Sequence, residues 1–193
     1  NFRLDFNPQA FKKLDIAVVN YNAAYMAEHF KQGDQFTMFM PTTVKPGVSE
    51  VFEANPELSN IGTPAQYSQY LDTIFPNSKV KDIVYHRTKG KRTFEKFDKT
   101  FTTEGVFFFG PNSNSYEDII EGEVISVLLN FKNPDVNNYD GPGINEAGDM
   151  LFAVNNLKSK NYDSHIDNFS KEFVAFEPEQ IHILGSKQDI ERF

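Results

Sequence analysis

The chain changes its apolar period near Pro76, and this constrains its fold more than any other feature. From Pro8 to Phe30 apolar residues fall at helical spacing (Phe11, Leu14, Ala17, Val18, Tyr21, Ala24, Tyr25), with Asn7-Pro8 as a cap and first-turn pair. Pro41 to Pro46 breaks the chain, a second helical piece follows over Ser49 to Ala54, and Thr63-Pro64 opens a third. There Tyr67, Tyr70, Leu71 and Ile74 repeat at three and four residues, until Pro76-Asn77-Ser78 ends the pattern. Beyond it come six short runs rich in β-branched or aromatic residues, bounded by Gly, Pro and Asn: Val80 with Ile83-Val84-Tyr85, Gly105 to Phe109, Val124 to Phe131, Met150 to Val154, Phe173 to Phe176 and Ile181 to Leu184. Six strands with only short helices between them predict an α+β domain over 77–193, preceded by a small helical region over 1–76. Asn133 to Gly148 reads as a Pro/Gly/Asn/Asp-rich loop and Lys158 to Ser170 as a polar one.

Several function classes are argued against by bulk chemistry. A net charge of -8 opposes general binding to nucleic acid or anionic membrane, since both need a positive field. No apolar run approaches the roughly 18 residues that span a bilayer. With no cysteine there is no disulfide framework, thiol nucleophile or thiolate metal site, which fits a cytoplasmic setting. His165 and His182 have no partner at metal-ligand spacing, so no metal site is expected. The chain opens on Asn1 rather than Met, and we expect it to be part of a larger polypeptide. One segment runs against the overall charge. Between Lys79 and Lys99, eight basic residues (Lys79, Lys81, Arg87, Lys89, Lys91, Arg92, Lys96, Lys99) meet three acids, leaving that stretch at +5. It reads either as a solvated face or as a landing site for an anion such as a pyrophosphate.

Three strand-like stretches carry reactive groups at their ends. Tyr85-His86-Arg87-Thr88 resembles the His-Gly-Thr strand of the ADP-ribosyltransferase fold, of the kind found in poly(ADP-ribose) polymerases and in phage transferases, with Arg87 in place of Gly. Gly105-Val106-Phe107-Phe108 is similar to that family's Gly-x-Tyr-Phe strand, with Phe107 at the Tyr position, Ser115 eight residues on and Tyr116 next to it. Glu172-Phe173-Val174-Ala175-Phe176-Glu177 resembles its last catalytic strand, which begins with Glu. Taken singly, each stretch reads as ordinary strand; their order and spacing from about Val80 to Leu184 carry the likeness.

The resemblance implies a split β-sheet core and NAD as substrate. His86 would hold the adenosine-side ribose, with Arg87 and Thr88 beside it and the backbone of Arg87 pairing with the nicotinamide amide. Phe107 would stack on nicotinamide, Ser115 would hold its carboxamide, and Tyr116 would supply a second aromatic wall. The pyrophosphate would lie near Lys89, Lys91 or Arg92. Glu172 would be the catalytic carboxylate, stabilising the positive charge that develops on the ribose as nicotinamide leaves. Ser170, two residues before it, matches neither the Glu nor the Gln found there in branches with known targets. By position, the loop Lys158 to Ser170 would read the target.

The expected function is transfer of ADP-ribose from NAD to a protein acceptor, or to water as an NAD glycohydrolase, in a host cytoplasm or a virion if the gene is phage-encoded. The alternative is a catalytically inactive version of the same fold, serving as a binding or virion-structural module. A different carboxylate and histidine hydrolase finds no nucleophile elbow, phosphate-binding glycine loop or zinc motif in support.

Overall fold

Thr63 starts its helix through reciprocal hydrogen bonds: its hydroxyl accepts from the Gln66 N–H at 3.3 Å, and the Gln66 side chain accepts from the Thr63 N–H at 2.8 Å. A computed structural model of the chain describes residues 43–90, 94–102, 105–137 and 150–193; the expected helix over Pro8 to Phe30 lies outside them. Helix α1 (Val48–Ala54), a 3₁₀ turn (Pro56–Asn60) and α2 (Pro64–Ile74) follow one another. Val48, Val51 and Phe52, then Tyr67, Tyr70 and Leu71, are buried at the i, i+3, i+4 spacing of one helix face. This face packs on Tyr85 and Leu128 from the strands, on Ile83 and Leu184 at strand ends, and on Ile190 and Phe193 from the C-terminal end.

The strands are β1 (Val84–Arg87), β2 (Phe107–Phe109), β3 (Val124–Leu129), β4 (Pro134–Asn137), β5 (Ser164–Asp167), β6 (Glu172–Ala175) and β7 (Ile181–Ile183), with α3 (Met150–Ser159) between β4 and β5 and α4 (Lys187–Arg192) after β7. The result is a mixed α+β architecture with two sheets. One runs β1-β3-β7 and is wholly antiparallel; the other runs β2-β6-β5-β4, with β4 parallel to β5 and the remaining pairs antiparallel. Among the described residues, Tyr85 and Gly110 form a bridge between β1 and the end of β2, exchanging two backbone hydrogen bonds of 2.9 Å. Aromatic packing supports that bridge. Phe97 stands edge-on to Phe107 and also meets Phe109, while Val84, Val127, Leu129, Phe131 and Ala175 complete a core drawn from both sheets. None of the helices among the described residues is long and apolar enough to cross a membrane.

Three expectations need correction. Met150 to Val154 is not a strand but the first half of α3. A five-residue apolar run is ambiguous by period alone, and Met, Leu and Ala all favour helix. Val154 is buried with Leu157 packed nearby, whereas Leu151 and Phe152 are exposed, which is helical and not alternating burial. The loop expected over Asn133 to Gly148 begins as β4, an edge strand that tolerates Pro134 at its first position; residues 138–149 lie outside the described ones. The polar loop Lys158 to Ser170 contains β5, whose Ser164, His165 and Asp167 are buried. Its polarity disguised a central strand.

Candidate active site

Glu172 opens β6 directly after Lys171, which takes the left-handed conformation at φ 59°. The turn that delivers it is fixed by Asp167. One oxygen of that carboxylate accepts the N–H groups of Phe169 at 2.8 Å and Ser170 at 3.2 Å. Burial pushes the Asp167 carboxyl up, but these backbone donors outweigh it and hold the group below the usual carboxylate range. Register pairs Phe109 with Phe173, so one step further Gly110 stands beside Glu172.

From Gly110 the chain enters the loop that faces Glu172. A methyl group at Gly110 would lie 2.1 Å from the Ser115 side chain, so only glycine lets Ser115 fold back over the strand end. The loop is built from short turns: Ser115 N–H donates to Asn112 O, Glu117 N–H to Asn114 O, and Ile119 and Ile120 N–H to Tyr116 O. Tyr116 itself is left-handed at φ 65°, and this aims its hydroxyl at Glu172. The phenol donates to Glu172 Oε1 at 2.6 Å. Burial, the hydrogen bond and the nearby charge of Glu172 all raise the Tyr116 phenol above its ordinary range, so it stays a donor at neutral pH. Between the loop and the β5–β6 turn lies a cleft of about 560 Å³, bordered by Gly110, Ser115, Tyr116, Ile119, Ser170 and Glu172.

Arg87 reaches the same loop from β1. Its Nε donates to Ser115 O at 3.3 Å, one terminal nitrogen to Gly122 O at 3.2 Å and the other to Ser113 O at 2.8 Å. Along β1, Tyr85 and Arg87 turn their N–H and C=O to the same edge by alternation. Gly110 occupies that edge at Tyr85; at Arg87 the edge runs past the point where β2 turns off at Pro111.

The structure therefore brings Ser115, Tyr116 and Glu172 to one cleft, with Arg87 behind the loop. It does not place His86, Thr88 or Phe107 on that lining. His86 stands among Phe97 and Phe109, its Nδ1–H donating to Phe108 O at 2.9 Å. A carbonyl can only accept, so Nε2 carries the lone pair. Burial depresses the His86 pKa below the ordinary histidine value, partly offset by the Phe108 carbonyl. Thr88 is buried and its hydroxyl donates to Gly90 O at 2.8 Å. Phe107, expected to stack on nicotinamide, is 3% exposed in the core shared by the two sheets and is not among the residues lining the cleft. Alternation along β2 puts Phe108, not Phe107, on the face of the sheet that carries Glu172.

Part of the basic segment is committed within the fold. Lys81 Nζ donates to the carbonyls of Phe75 and Pro76, Lys99 pairs with Glu177 at 2.7 Å, and Lys96 with Glu179 at 3.7 Å. Lys89 is exposed, and Lys91 and Arg92 lie outside the described residues. The other two described histidines each have a carboxylate partner, His165 with Asp135 at 2.8 Å and His182 with Asp189 at 2.7 Å.

Compared with known proteins, the chain matches no family model, no curated protein and no solved structure. What can be said of the site rests on its own geometry. A carboxylate held at a strand start, within reach of a phenol donor and beside an open cleft, can bind a hydroxyl and steady a positive charge forming above it. Sequence reasoning missed the Asp167 turn and the reach of Arg87. The run Pro111-Asn112-Ser113-Asn114-Ser115, dense in turn formers, is a signal of a structured loop that the sequence reading did not use.

Proposed function

We propose that this protein cleaves NAD and transfers ADP-ribose to a protein acceptor, in the manner of the ADP-ribosyltransferases its three strand motifs resemble. The observation that carries the reading is Glu172, set at the opening of β6 beside the cleft with Tyr116 donating to it. Two sheets joined at the Tyr85–Gly110 bridge support the split-sheet form of the proposal, with the His86, Phe107 and Glu172 motifs on three adjoining strands.

In this mechanism the bond from ribose C1′ to the nicotinamide nitrogen breaks, and its electron pair leaves with nicotinamide. The ribose becomes oxocarbenium-like, and Glu172, accepting a hydrogen bond from a ribose hydroxyl, stabilises that charge. A nucleophile of the acceptor then bonds to C1′ and gives up its proton, with Glu172 as the nearby base. One such group contributes about 3 to 4 kcal/mol, or 10²- to 10³-fold in rate. The nicotinamide wall falls to Tyr116, since Phe107 faces the core. His86, neutral with Nε2 as acceptor, suits a ribose hydroxyl.

A second reading, an inactive version serving as a binding or virion module, is favoured by the burial of Phe107 and the commitment of Arg87 to loop carbonyls. Nicotinamide release from NAD by the purified chain separates the two, with a protein acceptor extract present and absent. Release lost in Glu172→Gln, at an unchanged melting temperature, supports the transferase. No release and no NAD-induced thermal shift supports the module.

A further inference from the structure

We propose that Arg87 is a positioning residue that sets the shape of the 110–122 loop and, through it, the contact of Tyr116 with Glu172. The proposal rests on the reading of Glu172 as the catalytic carboxylate. Its basis is a division of labour among the loop's carbonyls. The loop's own turns use those of Asn112, Asn114 and Tyr116 as acceptors. The intervening ones, Ser113 and Ser115, are taken by Arg87, which also takes Gly122 at the far end of the loop. One guanidinium thus ties the two ends of a segment that belongs to neither sheet.

The geometry demands a planar fork. Nε and both terminal nitrogens each serve a different carbonyl, and a lysine ammonium on its flexible stem would not span all three. The clamp closes on the residue that needs it. Ser115, whose carbonyl Arg87 holds, directly precedes Tyr116, whose left-handed backbone is unfavourable for a residue with a Cβ. On its other side Tyr116 is held by Glu172. Gly122 is equally fixed from the strand: a methyl group there would lie 1.7 Å from Thr88 O, so the end of the loop sits directly against β1. Released from Arg87, the backbone entering Tyr116 loses its anchor at Ser115 O; the turn bonds from Ile119 and Ile120 N–H to Tyr116 O remain, but the loop that carries them can shift, and with it the position of the hydroxyl on the carboxylate.

The test compares wild type, Arg87→Lys and Arg87→Ala by nicotinamide release from NAD and by hydrogen exchange at the amides of Glu117, Ile119 and Ile120. We expect Arg87→Ala to lose about 100-fold in kcat, the scale of a small misplacement of a catalytic group, with KM within a few-fold. Guanidinium ion at non-denaturing concentration restores rate and loop protection in Arg87→Ala, ammonium at equal ionic strength does not, and Arg87→Lys stays impaired. A kcat within twofold of wild type in Arg87→Ala, or a loss that guanidinium leaves untouched, overturns the proposal. If wild type releases no nicotinamide, the transferase reading fails by itself. Exchange then decides the clamp: reprotection by guanidinium supports it, and none refutes it.

Discussion

Asp189 offers the sharpest check on how this fold is held together. Its carboxylate is fully buried and accepts three hydrogen bonds: from the Tyr67 hydroxyl, from Gly185 N–H at 2.8 Å and from His182 Nε2 at 2.7 Å. Truncation to alanine strands three donors beside a fully buried position, each costing about 1 to 3 kcal/mol. Neighbouring side chains relax in part, so the loss is less than the sum of the three, about 3 to 5 kcal/mol. Asparagine behaves differently. Its carbonyl can stay on Tyr67 and Gly185 while its amide donates to His182, provided the imidazole moves its proton to Nδ1. Only the charge assistance is then lost, about 1 to 2 kcal/mol. In urea, with a slope of about 2 kcal/mol per molar, Asp189→Ala should lower the midpoint by about 1.5 to 2.5 M and Asp189→Asn by less than about 1 M. Equal losses for the two variants, or a loss below about 1 kcal/mol for alanine, would refute the reasoning.

Other expectations concern the cleft and its surroundings. Tyr116→Phe keeps the ring but removes the donor to Glu172, so nicotinamide release should fall about tenfold in kcat with KM little changed, whereas Tyr116→Ala should also raise KM; identical KM values for the two would exclude the ring as a wall. Gly110→Ala drives a methyl group into Ser115 and should cost about 1 to 3 kcal/mol in thermal unfolding, with the loss recovered in the double variant Gly110→Ala/Ser115→Gly. No recovery would place the strain elsewhere. His86 has a lower pKa folded than unfolded, so its neutral form is the one the fold favours. That contribution is intact above about pH 6.5 and is lost as pH falls from there through the depressed folded value. Melting temperatures measured from pH 7.5 to 5.5 should decline, and His86→Asn should flatten the decline; an unchanged slope would assign it to other groups.

How much of this was legible in the sequence depended on what each segment buries. The start of the helix Pro64–Ile74 was legible in Thr63-Pro64 and its buried face in Tyr67, Tyr70 and Leu71, whereas its end falls at Ile74, short of the Pro76 break. The strands β1, β2, β3, β6 and β7 announced themselves by apolar content, since each contributes to a core. β4 and β5 did not. The buried positions of β5 are the polar Ser164, His165 and Asp167, held by local bonds to Asp163, Phe169 and Ser170 and by the distant Asp135. Of the residues at the cleft, Glu172 and Ser115 had been singled out by the resemblance and Tyr116 by its place next to Ser115. The burial of Phe107 was not legible, since three consecutive phenylalanines give no sign of which faces point inward until the pairing of Phe108 with Val174 is known. The role of Arg87 depends on three backbone carbonyls, and carbonyls have no sequence signature.

The Tyr85–Gly110 bridge has a bearing on how such a cleft could be remade. A hydrogen-bonded ladder can change only by whole residues, because register is discrete. Ring packing changes by fractions of an ångström. Where the two sheets adjoin, Phe97, Phe107 and Phe109 carry much of the contact between them. Substitutions among those rings can therefore tilt one sheet against the other while both ladders stay intact. The opening beside Glu172 is in this sense an adjustable aperture, whose width can be graded in small steps from inside the protein.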